Sequence, residues 1–212
     1  MARQQKRHSS RSAAFLRKIG YPGTSDFGFL YDLPAGRKRS GSLEQSFLEF
    51  AVTSDYAEIA KDHCAPVCLT NLMLVLSRKG HPELLAGGNL NETFRRIHAM
   101  TGNGPVMTLR RYAYRYAAER GYRLHSRKVF DYEDVCRAIR DGQPVTLLLS
   151  DGLFDWHWVL VLGWADCETS DGPHHYLLIH DGWNRRAESY YDLAHKSLWV
   201  AARAYRVEEA EA

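Results

Sequence analysis

Long apolar runs are missing from this 212-residue chain. No segment approaches the ~18 consecutive apolar residues of a membrane-spanning helix. The longest apolar run near the N-terminus, AAFL at 13–16, is too short for the core of a secretion signal. A cytoplasmic location follows as the expectation. Cysteine is scarce as well: Cys64, Cys68, Cys136 and Cys167 are the only four, too few for a disulfide framework and better read as reduced thiols. Neither a Cys-x-x-Cys nor a His-x₃-His pair is present, which argues against structural zinc at His63, Cys64 and Cys68 or at His174, His175 and His180. A glycine-rich phosphate loop is lacking too, since Gly102-Asn-Gly-Pro is only a turn. Neither a metal nor a cofactor is expected.

Acidic residues are absent from the first 20 positions, which carry Arg3, Lys6, Arg7, Arg11, Arg17 and Lys18. The whole chain has a net charge of +3, so the remaining residues carry −3. The body is mildly acidic and only the leader is basic. Without interleaved aromatic rings the leader reads as a solvated arm, and nucleic acid is not the expected partner. Residues 1–42, rich in Arg, Lys, Ser and Gly, form that arm. The folded domain is expected over 43–207, with 208–212 as a tail. Phe47, Leu48, Phe50 and Val52 suggest a short strand or helical turn leading into it.

Periodicity then divides the body in two. In CAPVCLTNLMLVLSRKG, Leu69, Leu72, Met73 and Leu76 recur at three- and four-residue spacing, which predicts a buried helix from Cys64, with Pro66 in its first turn and Gly80 at its end. Helices are also predicted over 91–100 and 108–120. In the latter, Arg110, Arg111, Arg115 and Arg120 accompany Tyr112, Tyr114 and Tyr116, an amphipathic pattern with a solvated basic face. The second half changes to a strand at 123–129, a short helix at 132–140, and strands at 145–150, 157–164, 176–180 and 189–191. The stretch 198–207 fits strand or helix. Helices first and an antiparallel sheet afterwards make the expected class α+β.

Three residues combine into a chemistry. A thiol reacts as the thiolate, and a helix N-terminus, where Cys64 stands, favours negative charge. His157 heads the apolar strand HWVLVLGW, where a side chain is held rigidly yet faces a loop. Asp181 follows the next strand; if the two strands are antiparallel neighbours, Asp181 lies beside His157 and can orient its ring. Alone, each residue is as well explained by core packing or by a turn.

The ordered segments HCAPVCLTN, GQPVTLLL, HWVLVLGW and HYLLIHDGWN resemble the papain-like cysteine peptidases, and most closely the family that includes the bacteriocin-processing, double-glycine leader peptidases and their stand-alone relatives. The resemblance covers roughly 55–205. It implies a papain-like fold with the Cys on a central helix packed on an antiparallel sheet. It further implies a Cys64–His157–Asp181 triad acting on a peptide or amide bond of a peptide or protein substrate, with Trp183 shielding the His–Asp contact. One position departs from the family pattern: Glu58 stands where a glutamine usually supplies an oxyanion-hole donor. A carboxylate there repels a developing oxyanion, and loss of one such donor costs about 10²–10³ in turnover. Asn71 is a candidate substitute donor. The alternative is a catalytically weak or inactive binding module on the same fold. The oligomeric state stays open.

Overall fold

The structure, a computed structural model, describes residues 27–34, 36–44, 49–152, 155–170, 172–185 and 189–208. It is an α+β protein built on one antiparallel sheet. The strands are β1 (Phe29–Leu30), β2 (Arg37–Ser42), β3 (Arg123–Val129), β4 (Val145–Ser150), β5 (Trp156–Thr169), β6 (Gly172–His180), β7 (Ser189–Asp192) and β8 (Leu198–Glu208). The helices are α1 (Cys64–Ser77), α2 (Leu90–Thr101), α3 (Leu109–Glu119) and α4 (Tyr132–Arg140). Across the sheet the order is β1-β7-β6-β5-β4-β8-β3, with β2 paired to β5 off this path. Among the described residues no helix is long and apolar enough to cross a membrane.

Helix α1 is the hub. Every residue after Cys64 in it is buried, as an apolar run on all sides of a helix requires. It packs against β5, α2 and α3, and burying one leucine such as Leu69 or Leu72 contributes about 1.5–3 kcal/mol. Two of its interior polar groups are met locally: Thr70 Oγ1 donates to the Pro66 carbonyl and Ser77 Oγ to that of Leu74, at 2.8 and 2.7 Å. Pro66 sits in the first turn, where no N–H is needed. Helices α2 and α4 start from side-chain caps, Asn89 accepting from the Glu92 amide and Asp131 from the Asp134 amide. Helix α4 packs on β2, β4 and β5.

Three expectations change. The segment 1–42, expected as a solvated arm, contains β1 and β2. Leu30 pairs with Tyr190 and Ser42 with Gly163. Gly163 faces β2 at so short a range that a Cβ there would lie 2.7 Å from the Gly41 carbonyl oxygen. Arg39 bonds Asp166 at 2.9 Å and lies over the Trp164 ring, so a segment that reads as solvated charge is held by a partner far along the chain. The basic leader itself, 1–20, and Phe47 and Leu48 lie outside the described residues. Next, the strand expected over 176–180 begins already at Gly172, so β6 includes His174 and His175. Last, 198–208 is a strand, because both β4 and β3 pair with it.

Strand β5 is the spine of the sheet. On one side β6 follows it from Leu160 to Thr169. On the other, β4 pairs with Trp156–Val161 and β2 with the stretch from Gly163 to Cys167. A register shift between Val161 and Gly163 separates the two halves. Beyond His180 the chain leaves the sheet, so the first residues of β5 run past the end of β6.

Candidate functional site

The site forms where that happens. Cys64, half-buried, opens α1. The main-chain N–H groups of Trp158, the residue after His157, of Ala65 and of Cys64 itself lie near enough to its sulfur to act on its pKa. These donors favour the thiolate, as does the helix end. Burial outweighs them, with the Asp62 carboxylate adding to it, and pushes the thiol up to about 11. Cys68, one turn deeper and buried, is held even more firmly as the thiol by its burial.

His157 is buried at the head of β5. Its Nε2 lies 2.7 Å from the main-chain oxygen of Asp181. A carbonyl only accepts, so Nε2 carries the hydrogen and Nδ1 is the basic nitrogen. Burial lowers its pKa, opposed by the Asp181 carbonyl and charge. Aromatic rings enclose the imidazole. Trp183 stacks on it at 4.5 Å and 15°, Phe27 lies at 5.5 Å and Phe29 at 6.2 Å. Trp183 therefore covers one face of the imidazole. Phe27 and Phe29 escaped notice in the sequence, since nothing in their spacing links them to a histidine more than a hundred residues away.

Asp181 corrects the expected orienting role. Its carboxylate does not meet His157 but accepts four other donors: the N–H groups of Trp183 and Asn184 on Oδ1, at 2.8 and 3.0 Å, and Asn184 Nδ2 and Ser189 Oγ on Oδ2, at 2.8 and 2.6 Å. This is an Asx-type turn, which draws a side chain back onto the backbone just after it. The carboxylate ties the loop after β6 to β7, and the Asp181 carbonyl is left to hold the imidazole.

Glu58 is exposed and the carboxylate that reaches Cys64 is that of Asp62. Asp62 has φ 49°, uncommon for a residue with a Cβ. Asn71 does not substitute as an oxyanion donor. It is buried two turns into α1, where Oδ1 accepts the Ala51 N–H at 2.8 Å and Nδ2 faces the Ala51 carbonyl and His180 Nδ1 at 2.9 and 3.1 Å. The histidines once weighed as metal ligands diverge: His174 meets Asp192, His175 meets Asp166 and His180 meets Asn71.

Burial lowers His180 to about 4. A base whose folded pKa is depressed binds its proton more readily in the unfolded chain, so its contribution is whole above the ordinary ~6.5 and is lost as pH falls towards 4. The His157 shift has the same sign. Urea unfolding at a series of pH values should show stability falling across that window, by on the order of 3 kcal/mol for His180. Stability that stays flat between pH ~6.5 and ~4 would contradict the buried, neutral state.

The chain matches no family model and no curated protein.

Proposed function

We propose that the chain is a thiol-dependent hydrolase of papain-like architecture, acting on a peptide or amide bond with Cys64 as nucleophile and His157 as base. The observation that supports this reading is the influence of the Trp158 main chain on the Cys64 thiol, because Trp158 adjoins a histidine whose Nε2 is already committed and Cys64 opens a helix. Both groups are neutral at rest. Cys64 Sγ attacks the carbonyl carbon as its proton passes to His157 Nδ1, and the carbonyl oxygen takes the charge. Nδ1 then returns the proton to the leaving nitrogen as the C–N bond breaks. Water, deprotonated by the same nitrogen, cleaves the thioester and restores the thiol. The N–H groups of Cys64 and Ala65, unused within α1, are the donors at hand for the oxyanion. Asp62, not Glu58, is the charge that opposes it.

A second reading, a peptide-binding module, is favoured by the elevated Cys64 thiol: a site that has given up catalysis has no need to ionise it. An electrophilic peptide, such as a peptidyl aldehyde or epoxysuccinyl peptide, separates the two. The hydrolase should be modified at Cys64 faster than at buried Cys136, and His157→Ala should slow this by about 10²-fold or more. Labelling at Cys64 that is indifferent to His157→Ala would leave the binding module standing.

A further inference from the structure

The peptide group between Asp181 and Gly182 is bonded at both ends by histidines. Its carbonyl faces His157 Nε2 at 2.7 Å, and its N–H points at His180 Nδ1 at 3.3 Å. Asn71 Nδ2 approaches the same Nδ1 at 3.1 Å. The Asn71 amide has one orientation only, because Ala51 presents an N–H to Oδ1 and a carbonyl to Nδ2. Two N–H groups therefore converge on His180 Nδ1, which must be bare, and the proton sits on Nε2. His180 is buried under the Phe50 ring at 4.5 Å and takes no part in the chemistry proposed above.

We propose that His180 and Asn71 are positioning residues, which hold and polarise the 181–182 peptide so that its carbonyl orients His157. This rests on the reading of His157 as the base. The donors run from His157 Nε2–H to the Asp181 carbonyl and from the Gly182 N–H of the same peptide to His180 Nδ1, while the Asn71 amide, donating to that nitrogen from the other side, keeps it bare. An acceptor on the Gly182 N–H increases the negative charge on the Asp181 oxygen, and such chains strengthen each member. The gain is greatest when His157 is protonated, which is the state it reaches during thiol attack. The geometry also needs Gly182, whose φ of +81° other residues rarely adopt. Asn71 lies seven residues after Cys64 on the same helix, so one rigid element fixes both the nucleophile and the support of its base. The charged or titratable groups facing this chain are the Asp181 carboxylate and His157 itself; the Asp181 charge raises the pKa of both histidines.

The test compares His180→Leu, which removes the acceptor, with His180→Asn, whose Oδ1 can occupy the place of Nδ1. The His157 ring pKa is read by NMR of nitrogen-labelled histidine in the full chain, and Cys64 labelling by the peptidyl electrophile is followed in parallel. In His180→Leu the ring pKa should drop by about one unit and labelling should slow about tenfold, while His180→Asn should keep most of both. If the two variants lose thermal stability but leave the His157 pKa unchanged, or if Asn fares no better than Leu, the relay is overturned. The NMR reading does not depend on catalysis. Failure of the hydrolase reading would instead appear as Cys64 labelling that ignores His157→Ala.

Discussion

Replacing Asp181 with alanine should cost about 3–5 kcal/mol of folding stability, the largest loss expected of any single substitution at the site. Four donors converge on this carboxylate, and Asp181 is wholly buried. Alanine would leave two main-chain N–H groups, an amide and a hydroxyl without a partner in a place water does not reach, and each orphan carries a desolvation penalty of about 1–3 kcal/mol. Asparagine should be intermediate. Its Oδ1 can still accept from Trp183 and Asn184, but its NH₂ would face the Asn184 amide nitrogen. Chemical denaturation of the two variants measures the order. Because the carbonyl rather than the carboxylate holds His157, an asparagine variant that remains folded should lose only the pull of the carboxylate's charge, so that its His157 ring pKa falls slightly. A large change in that pKa would restore the carboxylate to the orienting role.

The second large effect is expected at the thiol. With Cys64 pushed up to about 11, alkylation by a small neutral reagent such as iodoacetamide should climb about tenfold per pH unit through the alkaline range. Near pH ~7 it should run roughly 10²-fold slower than for a free cysteine of pKa ~8.5. Mass spectrometry of the Cys64 peptide after timed exposure gives the profile. An inflection near neutrality would reveal a thiolate–imidazolium pair and refute the neutral resting site. The cause is specific. The amides of Trp158, Ala65 and Cys64 pull the pKa down, but burial and the Asp62 charge pull harder the other way. A substrate that displaces Asp62, or draws the proton to His157, would therefore change reactivity more than a change of bulk pH.

Much of the architecture was legible because it is written in local periodicity. The three- and four-residue spacing of Leu69, Leu72, Met73 and Leu76 belongs to α1, and strands β4 and β5 read directly from VTLLLS and HWVLVLGW. That Cys64 opens a helix and that His157 lies at the head of a strand were legible in the same way. Other features depend on partners distant in sequence. Strand β2, RKRSGS, has no strand-like composition; it forms because β5 offers a free edge and Asp166 receives Arg39. The strand at 198–208 could not be told from a helix until β4 and β3 stood on either side. The role of Asp181 was hidden for another reason. The carbonyl that meets His157 is the same in every residue type, so no side-chain pattern could announce it.

The pairing of β1 and β2 also dictates when the site is completed. Phe29 awaits Tyr191, and Arg37 awaits Cys167, so these two strands find their partners only after more than a hundred further residues have been made. Contacts of such long separation form late, since closing the loop costs entropy before the pairing returns any. Phe27 and Phe29 lie against the His157 ring. During synthesis that imidazole thus stays open to water on this side until β7 has been made and β1 has paired with it, and its enclosure is a late event of folding.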